Sequence, residues 1–331
     1  MTDTLTSNLD ETTHDAATMR AIRQETLGGP EVLTLAEVQR PVPGPSQILI
    51  RVVSTGLNPT DWGHRQIPGF LGDGPRILGW EVAGVVEVVG LGVTIHRPGD
   101  AVFGMLPYPH GVGSAAEYVV APARSMVPAP ARIDLADAGA VPLAALTAWQ
   151  ALHDTARVRP GHRVLIHGAA GGVGHFAVQI AKRLGAYVIG TASTRNHDML
   201  RELGADEVID YREVDFAQSV APVDVVLEGL GDDVPARSLA ITRPGGVIVS
   251  LALNKVAPLG EAAAAVDVRH ELMLVEADQA GMSSIASLID DGTLRVVVDG
   301  RFDLLDVDAV REAHRRGDTA HVAGKLVLQV G

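Results

Sequence analysis

The residues of this chain best suited by type and spacing to do chemistry lie in Arg163-Val-Leu-Ile-His-Gly-Ala-Ala-Gly-Gly-Val-Gly174. An apolar run enters a glycine-rich turn, and Val173, Phe176, Ala177, Ile180, Ala181 and Leu184 then recur at helical spacing as one apolar stripe. Strand, turn and helix in that order make a site for a dinucleotide pyrophosphate. Gly171 admits the phosphates to the backbone and Gly174 lets the helix close on the strand. Gly172 and Val173 open the helix, whose N-terminal amides carry partial positive charge. Ala169 stands where the commonest form of this fingerprint has its first glycine. A glycine triplet alone would also suit an ordinary tight turn, but a second strand at Tyr187–Thr191 completes the nucleotide-binding unit.

The end of that second strand reports on which nucleotide. An acidic residue about 20 positions past the glycines commonly holds the ribose 2′-hydroxyl of NAD. Here the segment is Thr191-Ala-Ser-Thr-Arg195, with no carboxylate. Ser193 can hydrogen-bond a 2′-phosphate and Arg195 can offer it a charged fork, which points to NADPH. The plainer alternative makes Ser193 a helix cap and Arg195 a solvated cation.

These residues need a scaffold, and 331 residues exceed what one core usually serves, so two domains are expected. The chain has no cysteine, which excludes disulfides, thiolate metal sites and catalytic thiols. A formal charge of −13 opposes nucleic-acid or anionic-membrane partners. No run is long and apolar enough to span a bilayer. Residues 1–18 read as a disordered acidic leader without the basic start and apolar centre of a secretion signal, so a cytoplasmic location is expected.

From 19 to 141, short apolar runs punctuated by Gly and Pro predict an all-β, barrel-like domain. They include Ile48-Leu-Ile-Arg-Val-Val53, Gly84-Val-Val-Glu-Val-Val89, Asp100-Ala-Val-Phe-Gly104 and Ala115-Ala-Glu-Tyr-Val-Val120. From 142 to 281, strands alternate with helices: a helix over 143–154, the glycine-rich unit, then strands at 207–209, 223–228 and 246–251. That rhythm predicts a doubly wound parallel sheet. Residues 282–331, with an amphipathic helix and a strand over 325–330, are expected to return to the first domain.

Taken together, Gly56-Leu-Asn-Pro-Thr-Asp-Trp62, Leu78-Gly-Trp-Glu-Val-Ala-Gly84, Pro98-Gly-Asp-Ala-Val-Phe-Gly104, Ala144-Ala-Leu-Thr-Ala-Trp149 and Leu203-Gly-Ala-Asp-Glu-Val-Ile-Asp-Tyr211 give the chain a family likeness. With the glycine turn, they make it resemble the zinc-independent quinone oxidoreductases of the medium-chain dehydrogenase/reductase superfamily, over essentially everything after Met19. The resemblance implies an α/β plus β fold: a GroES-like β-barrel domain for the substrate beside a doubly wound Rossmann domain, with the nicotinamide in the cleft. It also implies a homodimer. Zinc-dependent relatives carry Cys where Asn58 stands and His where Trp80 stands, so no metal is expected.

The same resemblance implies roles for single residues. Asn58 and Asp61 line the cleft near the nicotinamide, with Asn58 a donor to the acceptor carbonyl, although Asn-Pro-Thr-Asp is equally good turn sequence. Thr147 faces the nicotinamide, Tyr211 lies by the 2′-phosphate, and Gly229 and Gly231 approach the nicotinamide ribose. Phe103 and Leu251 are apolar contacts of the ring, and Lys325 lies close to the cofactor; as a bland alternative it is a surface cation. Two departures stand out. Gly63 replaces a tyrosine that serves as proton donor in many relatives, leaving water, His64, Arg65 or Tyr108. His197 replaces a phosphate-clamping lysine. The expected activity is NADPH-dependent hydride transfer to a quinone or an activated C=C of an enone or enoyl compound. The expected alternative is a non-catalytic NADPH-binding redox sensor or interaction protein. An aromatic content of 4% slightly favours an acceptor smaller than a flat quinone.

Overall fold

The computed structural model describes residues 17–72, 74, 76–110, 113–252 and 259–331. Residues 1–16, which hold nearly all of the expected acidic leader, lie outside the described residues, as do Asp73, Pro75, Gly111 and Val112.

Val164, Leu165 and Ile166 are wholly buried, and the strand they form, Arg163–Ile166, lies in the middle of a six-stranded parallel sheet. From one edge the order is Glu207–Ile209, Tyr187–Thr191, Arg163–Ile166, Val223–Glu228, Thr242–Ser250 and Arg269–Leu272. The chain starts at the centre, moves to one edge, then crosses to fill the other side. That is the doubly wound arrangement, and it opens a crevice at the carboxyl ends of the two central strands. Alternating side chains supply separate cores on the two faces: Val164, Ile166, Val188, Val225 and Leu227 on one, Leu165, Ile189, Val226 and Ile248 on the other. Both faces being covered explains why these strands read as continuous apolar runs.

The other strands form a seven-stranded sheet, including Gln47–Leu57, Glu81–Val89 and Ala101–Met105, and a three-stranded sheet of Leu33–Gln39, Thr18–Gln24 and Arg76–Ile77. Lys325–Gln329 pairs antiparallel with Gln47–Leu57, Leu326 opposite Leu57, so the last strand does rejoin the first sheet. The helix Gln279–Asp290 straddles the boundary expected at 281/282. The helix expected over 143–154 is an α-helix over Pro142–Trp149 continued by a π-helix over Gln150–Thr155, and the strand expected at 246–251 starts earlier, at Thr242.

The segment from Asn58 to Asp61, equally good turn sequence, forms the start of a helix. Asn58 sits at its N-cap with extended backbone, Pro59 follows, and Asp61 in the first turn accepts from the Asn58 N–H at 2.7 Å. These are helix-start residues as much as turn residues. Asn-Pro-Thr-Asp, which also suits a turn, here opens the helix Pro59–Gln66.

Candidate active site

At the glycine turn, Gly168 has φ of +60°, open to glycine at little cost, and Gly171 is the N-cap of the helix Gly172–Arg183 with no side chain capping it. The first amides of this 12-residue helix are thus left for an external anion. Gly174 is needed for packing. A Cβ there would lie 2.3 Å from the Gly168 carbonyl oxygen and 2.7 Å from the Ala169 backbone, whereas at Gly171 the nearest atom would be 3.3 Å away. Gly174→Ala is expected to cost about 1–3 kcal/mol of stability in urea unfolding, more than Gly171→Ala. Ala169 is fully buried, and Gly190 on the neighbouring strand is what leaves room for its methyl group.

His175 locks the turn to the C-terminal segment: its Nδ1 lies 3.0 Å from the Gly171 carbonyl and its Nε2 accepts from the Val297 N–H at 3.3 Å. A ring that donates from one nitrogen and accepts at the other is neutral, in keeping with a pKa that burial lowers to about 4.

Beyond the second strand, Ser193 is 7% exposed and makes no capping bond, while Arg195 is exposed and donates to the His321 carbonyl at 3.1 Å. Tyr211 is half-exposed with the Arg212 guanidinium 5.5 Å from its ring centre, and His197 Nε2 lies 3.2 Å from the Ala192 carbonyl. The fold also brings a carboxylate here that the segment 191–195 does not contain. Asp210 accepts from the Thr194 N–H at 2.7 Å, from the Thr194 hydroxyl, and from the Arg212 N–H at 2.9 Å. The hydroxyl bond, chiefly, lowers its pKa to about 2. Both of its oxygens are occupied in holding the loop, whereas among the described residues Ser193 Oγ has a long 3.5 Å bond from Asn196 and Arg195 its bond to the His321 carbonyl.

On the opposite side of the crevice, Gly229 and Gly231 lie where the strand Val223–Glu228 ends, and the buried Glu228 accepts from the Leu230 and Gly231 N–H groups at 3.0 and 2.9 Å. Leu251 is half-buried beside Gly229, whereas Phe103 is a core residue with no exposed surface. Thr147 is buried and spends its hydroxyl proton on the Leu143 carbonyl at 2.6 Å, which leaves it only accepting capacity.

Lys325 is no surface cation. It is 2% exposed, and its ammonium donates to the Leu57 carbonyl at 3.0 Å, to Glu81 Oε1 at 2.9 Å and to Asn58 Oδ1. All three protons of its ammonium are spent on protein. Its aliphatic stem touches the nucleotide turn: a Cβ on Gly172 would sit 3.3 Å from Lys325 Cδ. Glu81, which sequence reading passed over, is fully buried and also accepts from Asn58 Nδ2 at 2.6 Å and from the Leu143 N–H at 2.8 Å. The only sequence hint was an acid inside the otherwise apolar Trp80-Glu-Val-Ala-Gly-Val-Val86. Asp61 is buried beside this group with Oδ1 unpartnered among the described residues.

The proton-donor candidates separate clearly. Arg65 is fully buried and held by Asp318 at 2.7 Å and by His314 at 3.0 Å. His64 Nδ1 faces the Thr60 carbonyl at 2.9 Å, so Nδ1 carries the proton and the neutral ring has only an acceptor at Nε2. Burial lowers its pKa further. Water and Tyr108 remain, and Tyr108 packs edge-on against Trp80 at 5.4 Å, His64 at 5.9 Å and Phe70 at 6.4 Å. Few rings in the chain does not mean few rings in one place. Among the described residues, no three His, Asp or Glu side chains converge as a metal would require.

Residues 44–131 match the family described as alcohol dehydrogenase GroES-like domain, and 203–328 match zinc-binding dehydrogenase. The chain is 32% identical to a trans-enoyl reductase of Aspergillus terreus over 87% of each protein. It belongs to the medium-chain dehydrogenase/reductase superfamily. The first matched region is therefore a GroES-like domain, and the six-stranded sheet is the superfamily's Rossmann-type sheet, which binds a nicotinamide cofactor. A solved superfamily structure, the quinone oxidoreductase from Coxiella burnetii, superposes with a TM-score of 0.88 at 34% identity over 95% of this chain and 100% of that one. A mycobacterial protein solved in complex with NADPH superposes with a TM-score of 0.83 at 29% identity over 94% and 99% of the two chains. The chain is an oxidoreductase of this superfamily.

Proposed function

We propose that this oxidoreductase uses NADPH to reduce a quinone or the activated C=C of an enone or enoyl compound. The observation that carries the reading is that the glycine turn and the Asn58 amide belong to one packed unit, Lys325 touching Gly172 with its stem and Asn58 with its ammonium. A neutral amide donor is thereby held beside the turn that grips the dinucleotide. When bound, the cofactor supplies a hydride. The prepositioned N–H of Asn58 would stabilise charge developing on the carbonyl oxygen of a conjugated acceptor without reorganisation. The turn amides and the walls at Thr147, Gly229 and Leu251 align the reactants. Tyr108 is the group suited to return a proton, since neutral His64 and ion-paired Arg65 cannot.

NADPH rather than NADH is supported by the uncapped Ser193, the exposed Arg195 and the occupied Asp210. Arg195→Ala is expected to weaken NADPH binding about tenfold, as loss of a charge-assisted hydrogen bond does, and to leave NADH binding unchanged. Titration of cofactor fluorescence checks this. We also propose a homodimer formed through the edge strand Arg269–Leu272, beside which Leu272 and Leu274 are exposed. NADPH oxidation measured with menadione, methyl vinyl ketone and crotonyl-CoA tests the activity. Tight NADPH binding with no turnover of any of the three would favour a binding-only protein instead.

A further inference from the structure

We propose that Glu81 and Lys325 are positioning residues that fix which way the Asn58 amide faces and reserve its second N–H for the acceptor oxygen. This rests on the reductase reading above. An amide can usually rotate by half a turn and exchange its oxygen for its nitrogen at little cost. Here Oδ1 meets the Lys325 ammonium and Nδ2 lies 2.6 Å from Glu81 Oε1. An ammonium only donates and a carboxylate only accepts, so the rotated amide would set N–H against N–H and oxygen against oxygen. Both charges are at most 2% exposed, so little water is at hand to relieve that mismatch.

The surroundings hold the two charged groups still. Lys325 has no proton left over, and the second oxygen of Glu81 takes the Leu143 N–H at 2.8 Å, in the first turn of the helix that carries Thr147. Gly56 closes over the carboxylate so tightly that a Cβ there would lie 2.2 Å from Glu81 Oε1. One Nδ2 proton is spent on Glu81, and the other has no partner among the described residues. A buried ion pair is a poor source of stability against an apolar pair of the same size. Its presence here fits a role in orientation.

The test is a double-mutant cycle in acceptor kinetics, with menadione and methyl vinyl ketone as probes and NADPH saturating. Glu81→Gln is expected to lower kcat about 100-fold, in the range of losing one preorganised donor, while the NADPH dissociation constant stays within about twofold. Asn58→Ala is expected to lose as much, and Asn58→Ala/Glu81→Gln is expected to be no slower than Asn58→Ala. Should Glu81→Gln alone fail to fold, Glu81→Gln/Lys325→Met removes both charges together and carries the same expectation. Losses that multiply in the double variant, or an unchanged kcat in either Glu81 variant, would overturn the positioning role. A wild-type protein that binds NADPH and reduces neither probe would overturn the reductase reading itself, and this role with it.

Discussion

Lys325→Met is expected to destabilise the fold by about 3–5 kcal/mol, because it strands the Glu81 carboxylate in a place with no exposed surface. The carboxylate would keep two hydrogen bonds, from Asn58 and Leu143, but lose its only cation. The companion change Glu81→Gln/Lys325→Met should recover most of the lost stability, since a neutral, similarly shaped pair carries no uncompensated charge. Urea unfolding at neutral pH measures both. If the single variant were as stable as wild type, the ion pair could not be as dry as its burial implies.

Asp61 is expected to make the protein less stable as pH rises from about 4 to about 7. Burial is the largest influence on its carboxyl, opposed by the bond from the Asn58 N–H; Glu81 raises its pKa, and Lys325 and a Gly79 backbone bond lower it, leaving it at about 7. Oδ1 lines a void of about 10 Å³, room for about one water, walled by Thr55, Leu57, Leu78, Val310 and His314. In the unfolded chain the carboxyl titrates near 3.8. Between the two values the native state keeps a proton that the unfolded state has released. The stabilisation is complete below the lower value and is lost as pH passes the upper one, a change of about 4 kcal/mol. The buried histidines His167, His175 and His314, whose pKa values burial lowers to about 4, 4 and 3, act in the opposite sense, adding stability as pH rises toward the usual histidine range. The measurement is therefore a difference. Asp61→Asn, close in shape to the protonated acid, should differ from wild type by an amount that changes with pH only in the Asp61 window. A pH-independent difference would show that the carboxyl titrates normally.

How much of this was legible in the residues depends on how local each feature is. The glycine turn and its helix were, because a strand, a turn needing Gly171 and Gly174, and an apolar stripe are all written within about 20 consecutive residues. The alternation of strands and helices from 163 onward was legible for the same reason. The helix Pro59–Gln66 was ambiguous, since Asn, Pro and Asp serve a turn and a helix start equally well, and only the Asp61–Asn58 bond decides between them. The aromatic wall of His64, Phe70, Trp80 and Tyr108 was masked by low overall aromatic content, because composition says nothing about clustering.

By itself, the chain's sequence determined the family, the parallel sheet, the glycine turn and the absence of thiol chemistry, all properties of short segments and of composition. Only the tertiary structure decided what Lys325 touches, that Glu81 belongs to the site, and that Asp210 stands at the end of the second strand. Lys325 and Glu81 are 244 residues apart, and their meeting follows from the last strand pairing with Gln47–Leu57, which brings 325 beside the start of the helix at Asn58. Asp210 arrives through the parallel register of Glu207–Ile209 on Tyr187–Thr191. The charge of a side chain is carried by its own residue, but whether that charge faces water or another buried charge is set by pairings between strands far apart in the chain.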